Sequence, residues 1–372
     1  MPLQGDAAPL LRPTYTNITP LGTQGSMSWV YKAQHEGFDS PCVQKVVPMA
    51  GQPAAVAFAE PRLLKRLEHD NLVKVLDAQP DPNVQGAIVF TMPYYRQGSA
   101  RFALEQGYRF SLQQVIDMGC DLLTGLGHLH ANGLVDRDVK PANLLLSDDL
   151  RRGLLTDLGV AARIESDGRA AGNVGTPLFM APECFGPGAR VGVPGDIYGV
   201  GLTMIEMVNG PWPYAQIDVA EVQRRLGRGW RGVADALLEL PPHVPPRMRA
   251  ILLRAVRRGP DSRFQSARSF VDALRRVETI DWRELTRGPG LQGEWEGSWP
   301  PRLAQHRRRL YRVSVAPAAR GHDLVVTGFQ RVAPTAAWRR CVADLRIRAS
   351  DSRTLTQFFS AIRDRAIHVS AT

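Results

Sequence analysis

The stretch IYGVGLTMIEMVNG (Ile197–Gly210) constrains the fold more than any other. It is apolar nearly all the way round a helix, so that helix has no side to offer water and belongs at the centre of a domain. SLQQVIDMGCDLLTGLGHLHANG (Ser111–Gly133) is a candidate neighbour, with apolar residues recurring at three and four and Gly133 as its stop. PPRMRAILLRAVRRG and SARSFVDALRRV are further amphipathic helices, the second ending near Val277. Upstream the texture differs. From Ile18 to about Ala78 the pattern is strand-like, broken at Gly51–Pro53 and by a helical stretch from Ala54 to Glu68. GAIVFTMPYY (Gly86–Tyr95) reads as a buried strand running into a connector, and residues 1–17 are irregular.

After Glu278 the texture changes again. LYRVSVA, DLVVTGFQRV and WRRCVADLRIRA read as strands, and SRTLTQFFSAIRDRAIHV as a helix behind an Asp351 or Ser352 cap. The net charge of +10 is concentrated there: from Thr279 onward 16 Arg stand against 8 Asp or Glu. The chain has only five lysines, none after Lys140, so a lysine at a chemically meaningful position is informative. Four scattered cysteines suggest neither a metal site nor a disulfide framework. With no apolar run near membrane-spanning length and no secretory pattern at the N-terminus, the expectation is a soluble, cytoplasmic protein.

The chemistry lies in LVDRDVKPANLLL (Leu134–Leu146), which crowds Asp136, Asp138, Lys140 and Asn143 together and then runs into leucines. A solvated loop does not need that ending, and a buried strand would not tolerate those charges. Other motifs stand in order around it: LGTQGSMSWVYKA, CVQKVV with Lys45, FAEPRLLKRLEHDNLVKVLD with Glu60, LLTDLGVAARI with Asp157, GTPLFMAPE and PDSRF. From Tyr15 to Val277 this series resembles a Ser/Thr protein kinase of the bacterial Hanks type.

The resemblance implies an α+β chain: a bilobal protein kinase fold, with a β-rich N-lobe and a helical C-lobe, followed by a small α+β domain. The expected boundaries are 1–14 for an extension, 15–278 for the kinase domain and 279–372 for a basic accessory domain. It implies that Asp138 accepts the proton of the substrate hydroxyl, that Lys140 lies near the transferring phosphate, and that Asn143 and Asp157 hold Mg²⁺, with Mn²⁺ as an alternative ion. Lys45, paired with Glu60, would contact the α- and β-phosphates of ATP. Gly22, Gly25 and Val30 would cover the nucleotide, and Met92 and Tyr94 would flank its base at a hinge where Pro93 lacks an N–H. Glu183 should pair with Arg263, Asp196 should anchor the catalytic loop, and Thr176 should hydrogen-bond toward Asp138 and Lys140.

Several positions depart from the family. Of its three loop glycines only Gly25 is in register; Thr23 and Ser28 hold the other positions, and Gly22 is displaced by one. Asp136 replaces a histidine and Leu158 a phenylalanine, so a buried Asp136 needs a nearby arginine or a raised pKa. Arg137 would ordinarily meet a phosphate on the activation segment, where Ser166 and Thr176 are the only hydroxyls; Glu165 or Asp167 is expected to substitute for it. The expected activity is ATP-dependent phosphorylation of a protein substrate, and the alternative is a pseudokinase acting as a regulator. The Arg-rich tail suits an acidic protein partner better than nucleic acid, since Arg is this chain's usual cation and tryptophans in a short domain are more often core. A kinase-fold regulator of nucleic-acid binding is the third reading. No membrane role is expected.

Overall fold

The computed structural model describes residues 15–24, 28–299, 309–319, 323–332 and 335–371. The expected extension 1–14 and Gly25 lie outside these residues. The described residues form two compact units, divided between Arg96 and Gln97.

The first unit is an antiparallel sheet of β1 (Tyr15–Gln24), β2 (Ser28–His35), β3 (Ser40–Pro48), β4 (Asp77–Pro80) and β5 (Ala87–Pro93), in the order β1-β2-β3-β5-β4. β5 is buried from Ala87 to Met92, an apolar run broken by Thr91, whose hydroxyl donates to Tyr15 Oη at 3.1 Å. The helical stretch expected over 54–68 is divided into α1 (Ala54–Ala57) and α2 (Ala59–Leu67). On α2, Pro61, Leu64 and Leu67 are buried while Lys65 and Arg66 close its last turn.

In the second unit α3 (Ala100–Glu105) precedes α4 (Leu112–Ala131), which packs against α5 (Val193–Asn209) and α8 (Ala267–Arg275). α6 (Val219–Gly227) and α7 (Pro246–Ala255) complete this helical part. The paired short strands β6 (Leu134–Val135) with β9 (Ala162–Arg163), and β7 (Leu144–Leu146) with β8 (Gly153–Leu155), frame the chemistry-bearing loop. β10 (Ala170–Ala171) pairs with β11 (Arg190–Val191). From Asp196 to Val208 every residue of α5 is buried, the central position its composition predicts. Its buried Glu206 survives because Tyr214 Oη donates to it at 2.6 Å and the Trp212 N–H at 3.3 Å.

The tail contributes β12 (Arg283–Arg287), β13 (Gly293–Trp299), β14 (Arg309–Pro317), β15 (Asp323–Arg331), β16 (Arg339–Arg340) and β17 (Leu345–Arg348), all in one antiparallel sheet, then α9 (Ser352–Ala371). Sequence reading missed β12 and β13, whose charged residues and glycines obscure the alternation. Trp295 in β13 is buried among His243 and Phe359. Burial pushes His243 down to about 3, so this ring is neutral and serves as packing.

The tail and the helices belong to the same compact unit. Ser111 caps α4 in a capping box with Gln114, worth about 1 kcal/mol. Two amides of the first turn then find partners in the tail: Leu112 N–H donates to Trp282 O at 2.9 Å, and Gln113 N–H to Asp281 Oδ1 at 2.8 Å. Arg283 donates to Gln114 Oε1 at 3.1 Å. Trp282, 1% exposed, meets Tyr311 and Phe359 edge-on beside this seam. Trp282→Ala should therefore destabilise the helical unit as well as the tail, by about 3–5 kcal/mol. Denaturant unfolding followed by far-UV circular dichroism would check this; unchanged stability would refute the seam.

Candidate active site

Asp196, at the start of the central helix, is 2% exposed and organises the loop that follows β6. Its Oδ2 accepts the Asp136 N–H at 2.9 Å, its Oδ1 accepts the Arg137 N–H at 2.9 Å, and His130 Nε2 lies 2.8 Å from Oδ2. Arg137 has φ +76°, a conformation that L-residues avoid and that the surrounding bonds must hold. Gly199 lets the loop lie on α5, since a Cβ there would meet Val139 Cβ and O at 2.8 Å.

The carboxylate of Asp138 is fixed on both oxygens. Thr176 N–H donates to Oδ1 at 2.8 Å, and Lys140 Nζ donates to Oδ2 at 2.5 Å and to Thr176 Oγ1 at 2.7 Å. This is the arrangement expected of Thr176. Gly175, at φ +111°, makes that approach possible, because a Cβ would lie 2.2 Å from Arg137 O. Asn143 Nδ2 donates to Asp138 O at 3.0 Å, which commits the amide nitrogen and leaves Oδ1 as the group's acceptor. Thr156 N–H donates to Asn143 O at 3.0 Å, tying the loop to the chain that enters Asp157, itself at φ +61°.

Asp136 is fully buried. One oxygen accepts the Asp138 N–H at 2.9 Å, and Oδ2 has no hydrogen-bond partner among the described residues. Burial first, and the Asp196 carboxylate second, hold its pKa well above the ordinary carboxyl value. Of the two remedies expected for Asp136, its burial beside Asp196 favours the raised pKa; the neighbouring Arg137 side chain donates instead to Val160 O at 2.6 Å and Ala171 O at 3.0 Å. Leu158 is buried as well.

Glu165 and Asp167 do pair with an arginine, but it is Arg190, at 2.8 and 2.9 Å, and not Arg137. Arg190 also donates to Arg169 O at 3.1 Å and lies on β11, which pairs with β10. This clasp was not legible, because Arg190 stands 25 and 23 residues from its acids with no motif between them. His130 was missed too, since nothing in its spacing separates it from His128. The expected Glu183–Arg263 pair is bidentate, at 2.7 and 2.8 Å, with Arg263 entirely buried.

In the strand-rich unit Lys45 Nζ lies 2.9 and 3.0 Å from the two oxygens of Glu60. Lys45 stands opposite Val30 and Phe90 in the sheet, and Val30 opposite Gly22. Met92 is buried opposite Val43, while the Tyr94 ring packs beneath Lys32 Nζ at 4.5 Å.

Residues 15–273 match the family model of the protein kinase domain. The chain belongs to the protein kinase family. It is 28% identical over 233 residues to the probable serine/threonine-protein kinase WNK8 of Oryza sativa subsp. japonica, covering 58% of this chain and 37% of the relative. A probable serine/threonine-protein kinase of Dictyostelium discoideum is 35% identical over 158 residues, 42% of this chain and 30% of its own length. One from Clostridium acetobutylicum is 26% identical over 232 residues, 60% of this chain and 33% of its own. The chain thus spans about a third of each of these three kinases. No helix of the described residues is long and apolar enough to cross a membrane.

The raised pKa of Asp136 gives a sign for pH dependence. The native state holds this proton more tightly than the unfolded chain, so the stabilisation is complete below the ordinary value of 3.8 and is lost as pH rises through the native pKa. Asp136→Asn, which stays neutral, should flatten that part of the stability curve. Urea unfolding of both proteins across a pH series from 4 upward would show it; identical slopes would mean that Asp136 keeps its charge in the fold.

Proposed function

We propose that the chain transfers the γ-phosphoryl group of ATP to serine and threonine hydroxyls of a protein substrate. The observation that carries this reading is Lys140 Nζ bridging Asp138 Oδ2 and Thr176 Oγ1, which joins a candidate base, a cation and the activation segment in one hydrogen-bonded unit. Phosphoryl transfer asks a protein mainly for positioning and charge neutralisation, and this unit supplies both.

The donor set suits a hard cation. Asp157 offers a carboxylate and Asn143 its Oδ1, and Mg²⁺ is commonly bound by one or two protein oxygens with phosphates and waters completing its shell. Mn²⁺ would fit the same oxygens. Bound metal would neutralise charge on the phosphates. Asp138 would orient the substrate hydroxyl and take its proton as the oxygen bonds to the γ-phosphorus, while the bond to the β-phosphate breaks and ADP leaves with the electron pair. Lys140 would face the charge on the transferring group. Lys45, steadied by Glu60, would hold the α- and β-phosphates; Gly22, Gly25 and Val30 would cover the nucleotide, with Met92 and Tyr94 beside its base. The Lys140–Thr176 bond favours alcohol substrates of the Ser/Thr type, in keeping with the names of the relatives.

Purified protein should transfer labelled γ-phosphate to itself or to a generic substrate in Mg²⁺, and lose transfer with chelator. Asp138→Asn and Asp157→Asn should each reduce the rate by at least about 10²-fold. Nucleotide binding without transfer in wild type would overturn the reading. We also infer that the Arg190 clasp does for the activation segment what a phosphate would otherwise do. Phosphatase treatment should leave the rate unchanged, whereas Glu165→Ala/Asp167→Ala should lower kcat several-fold. Full activity in that double variant would remove the clasp from the account.

A further inference from the structure

A second basic region lies within the kinase domain. Between Asp218 and Arg258 nine arginines stand against four carboxylates. Three of these acids have cations beside them: Arg224 pairs with Glu221 at 2.5 Å and lies 3.9 Å from Asp218, and Arg231 lies 3.5 Å from Asp235. Arg228 and Arg258 are exposed and have no carboxylate partner among the described residues. Beside Arg228 stands Trp230, 43% exposed, with the Arg228 guanidinium 5.8 Å from its ring centre.

The loop bearing these groups is rigid. Gly229, at φ +69°, ends α6 with its N–H donating to Leu226 O at 2.8 Å, and Trp230 N–H donates to Arg225 O at 2.9 Å. Arg225 braces the far side through Arg231 O and Val233 O, and Arg258 grips Gly229 O at 3.1 and 3.0 Å. At its end, Gly232 packs so closely that a Cβ there would lie 3.1 Å from Pro177 O. Pro177 directly follows Thr176, whose N–H and hydroxyl bond Asp138 and Lys140. The patch is thus joined through one short connection to the segment that carries the chemistry.

We propose that Arg228, Trp230 and Arg258 form a docking surface for an acidic segment of the protein substrate. This rests on the kinase reading and adds a substrate class to it. The two exposed positive charges, neither beside a carboxylate of the described residues, supply charge complementarity, and Trp230 supplies a flat apolar surface for the occupant's stems or an aromatic side chain. Because the loop is already fixed, docking orders little of the protein, so weak exposed charge contacts are not spent on ordering it.

The test uses the full chain and two synthetic peptides with the same central serine, one flanked by Glu and Asp, the other by Gln and Ala. At low salt the acidic peptide should show a KM roughly fivefold lower at similar kcat, as two or three exposed charge contacts allow. The preference should fade at high salt. Arg228→Glu/Arg258→Glu should abolish it while transfer to the neutral peptide continues, and Trp230→Ala should reduce it, with Trp230→Phe restoring most of it. Equal KM values in wild type, or a preference that survives the charge reversal, would overturn the proposal. Anisotropy of a fluorescein-labelled acidic peptide reads docking without transfer, so binding lost on charge reversal supports the patch even where the kinase reading fails. Tighter binding of labelled oligouridylate at the same residues would also overturn it, in favour of a nucleic-acid surface.

Discussion

The buried carboxylate of Asp196 is the constraint on which the rest of the helical unit depends. It is carried by a helix that packing surrounds, so its position is set by the core and not by the loop it serves. By accepting two consecutive backbone amides it holds Arg137 at an unfavourable φ, which the loop alone would relax within the first few kT. The following residues then descend from one another. The Asp138 amide reaches Asp136, the Asp138 side chain meets Lys140 and Thr176, and its carbonyl receives Asn143. A rigid helix thereby becomes a rigid constellation through backbone contacts, which vary less with side-chain motion than contacts between long side chains would.

Setting Asp136 next to Asp196 creates an electrostatic conflict, because two carboxylates in a space without water cannot both stay charged cheaply. The resolution is unequal. Asp196 has two amides and His130 around it, whereas Asp136 accepts one amide and leaves Oδ2 unmatched. Burial and its neighbour therefore favour the protonated form of Asp136, and Leu158 is buried as well. The substitution changes the electrostatics of the loop while Asp138, Lys140, Asn143 and Thr176 keep their bonds to one another.

What the sequence disclosed follows from this division. Asp138, Lys140, Asn143, Thr176 and Asp196 were legible because their chemistry demands particular residue types on short, fixed stretches, and Lys45 stood out in a chain poor in lysine. The central helix was legible because burial on every side leaves no polar face to confuse the pattern. The partner of Glu165 and Asp167 was not, since an exposed ion pair needs only some arginine within reach and this chain has many. The seam at Asp281 and Trp282 escaped for another reason. Its hydrogen bonds run to the backbone of Leu112 and Gln113, and a backbone amide leaves no trace in residue identity. β12 escaped because it buries Glu284 and exposes Leu285, and β13 because Gly293 and Gly297 replace larger inward side chains.

The same structure shows why a net charge of +10 says little about partners. Many of the arginines are spent as clamps on main-chain carbonyls. Arg137 bridges Val160 and Ala171, Arg225 bridges Arg231 and Val233, and Arg249 bridges Leu240 and Pro241. Arg263 gathers the carbonyls of Pro194, Arg257 and Arg258 while holding Glu183. A planar fork with five donors can join two segments in this way, and an ammonium on a flexible stem cannot fix the same geometry. Lys45 and Lys140 instead each set a compact charge beside one carboxylate. Cations whose donors are taken up inside the fold, as at Arg263, are committed to it. Partner recognition falls to exposed guanidinium groups with donors to spare, as at Arg228 and Arg258, and their number is set by the hydrogen-bond pattern and not by composition.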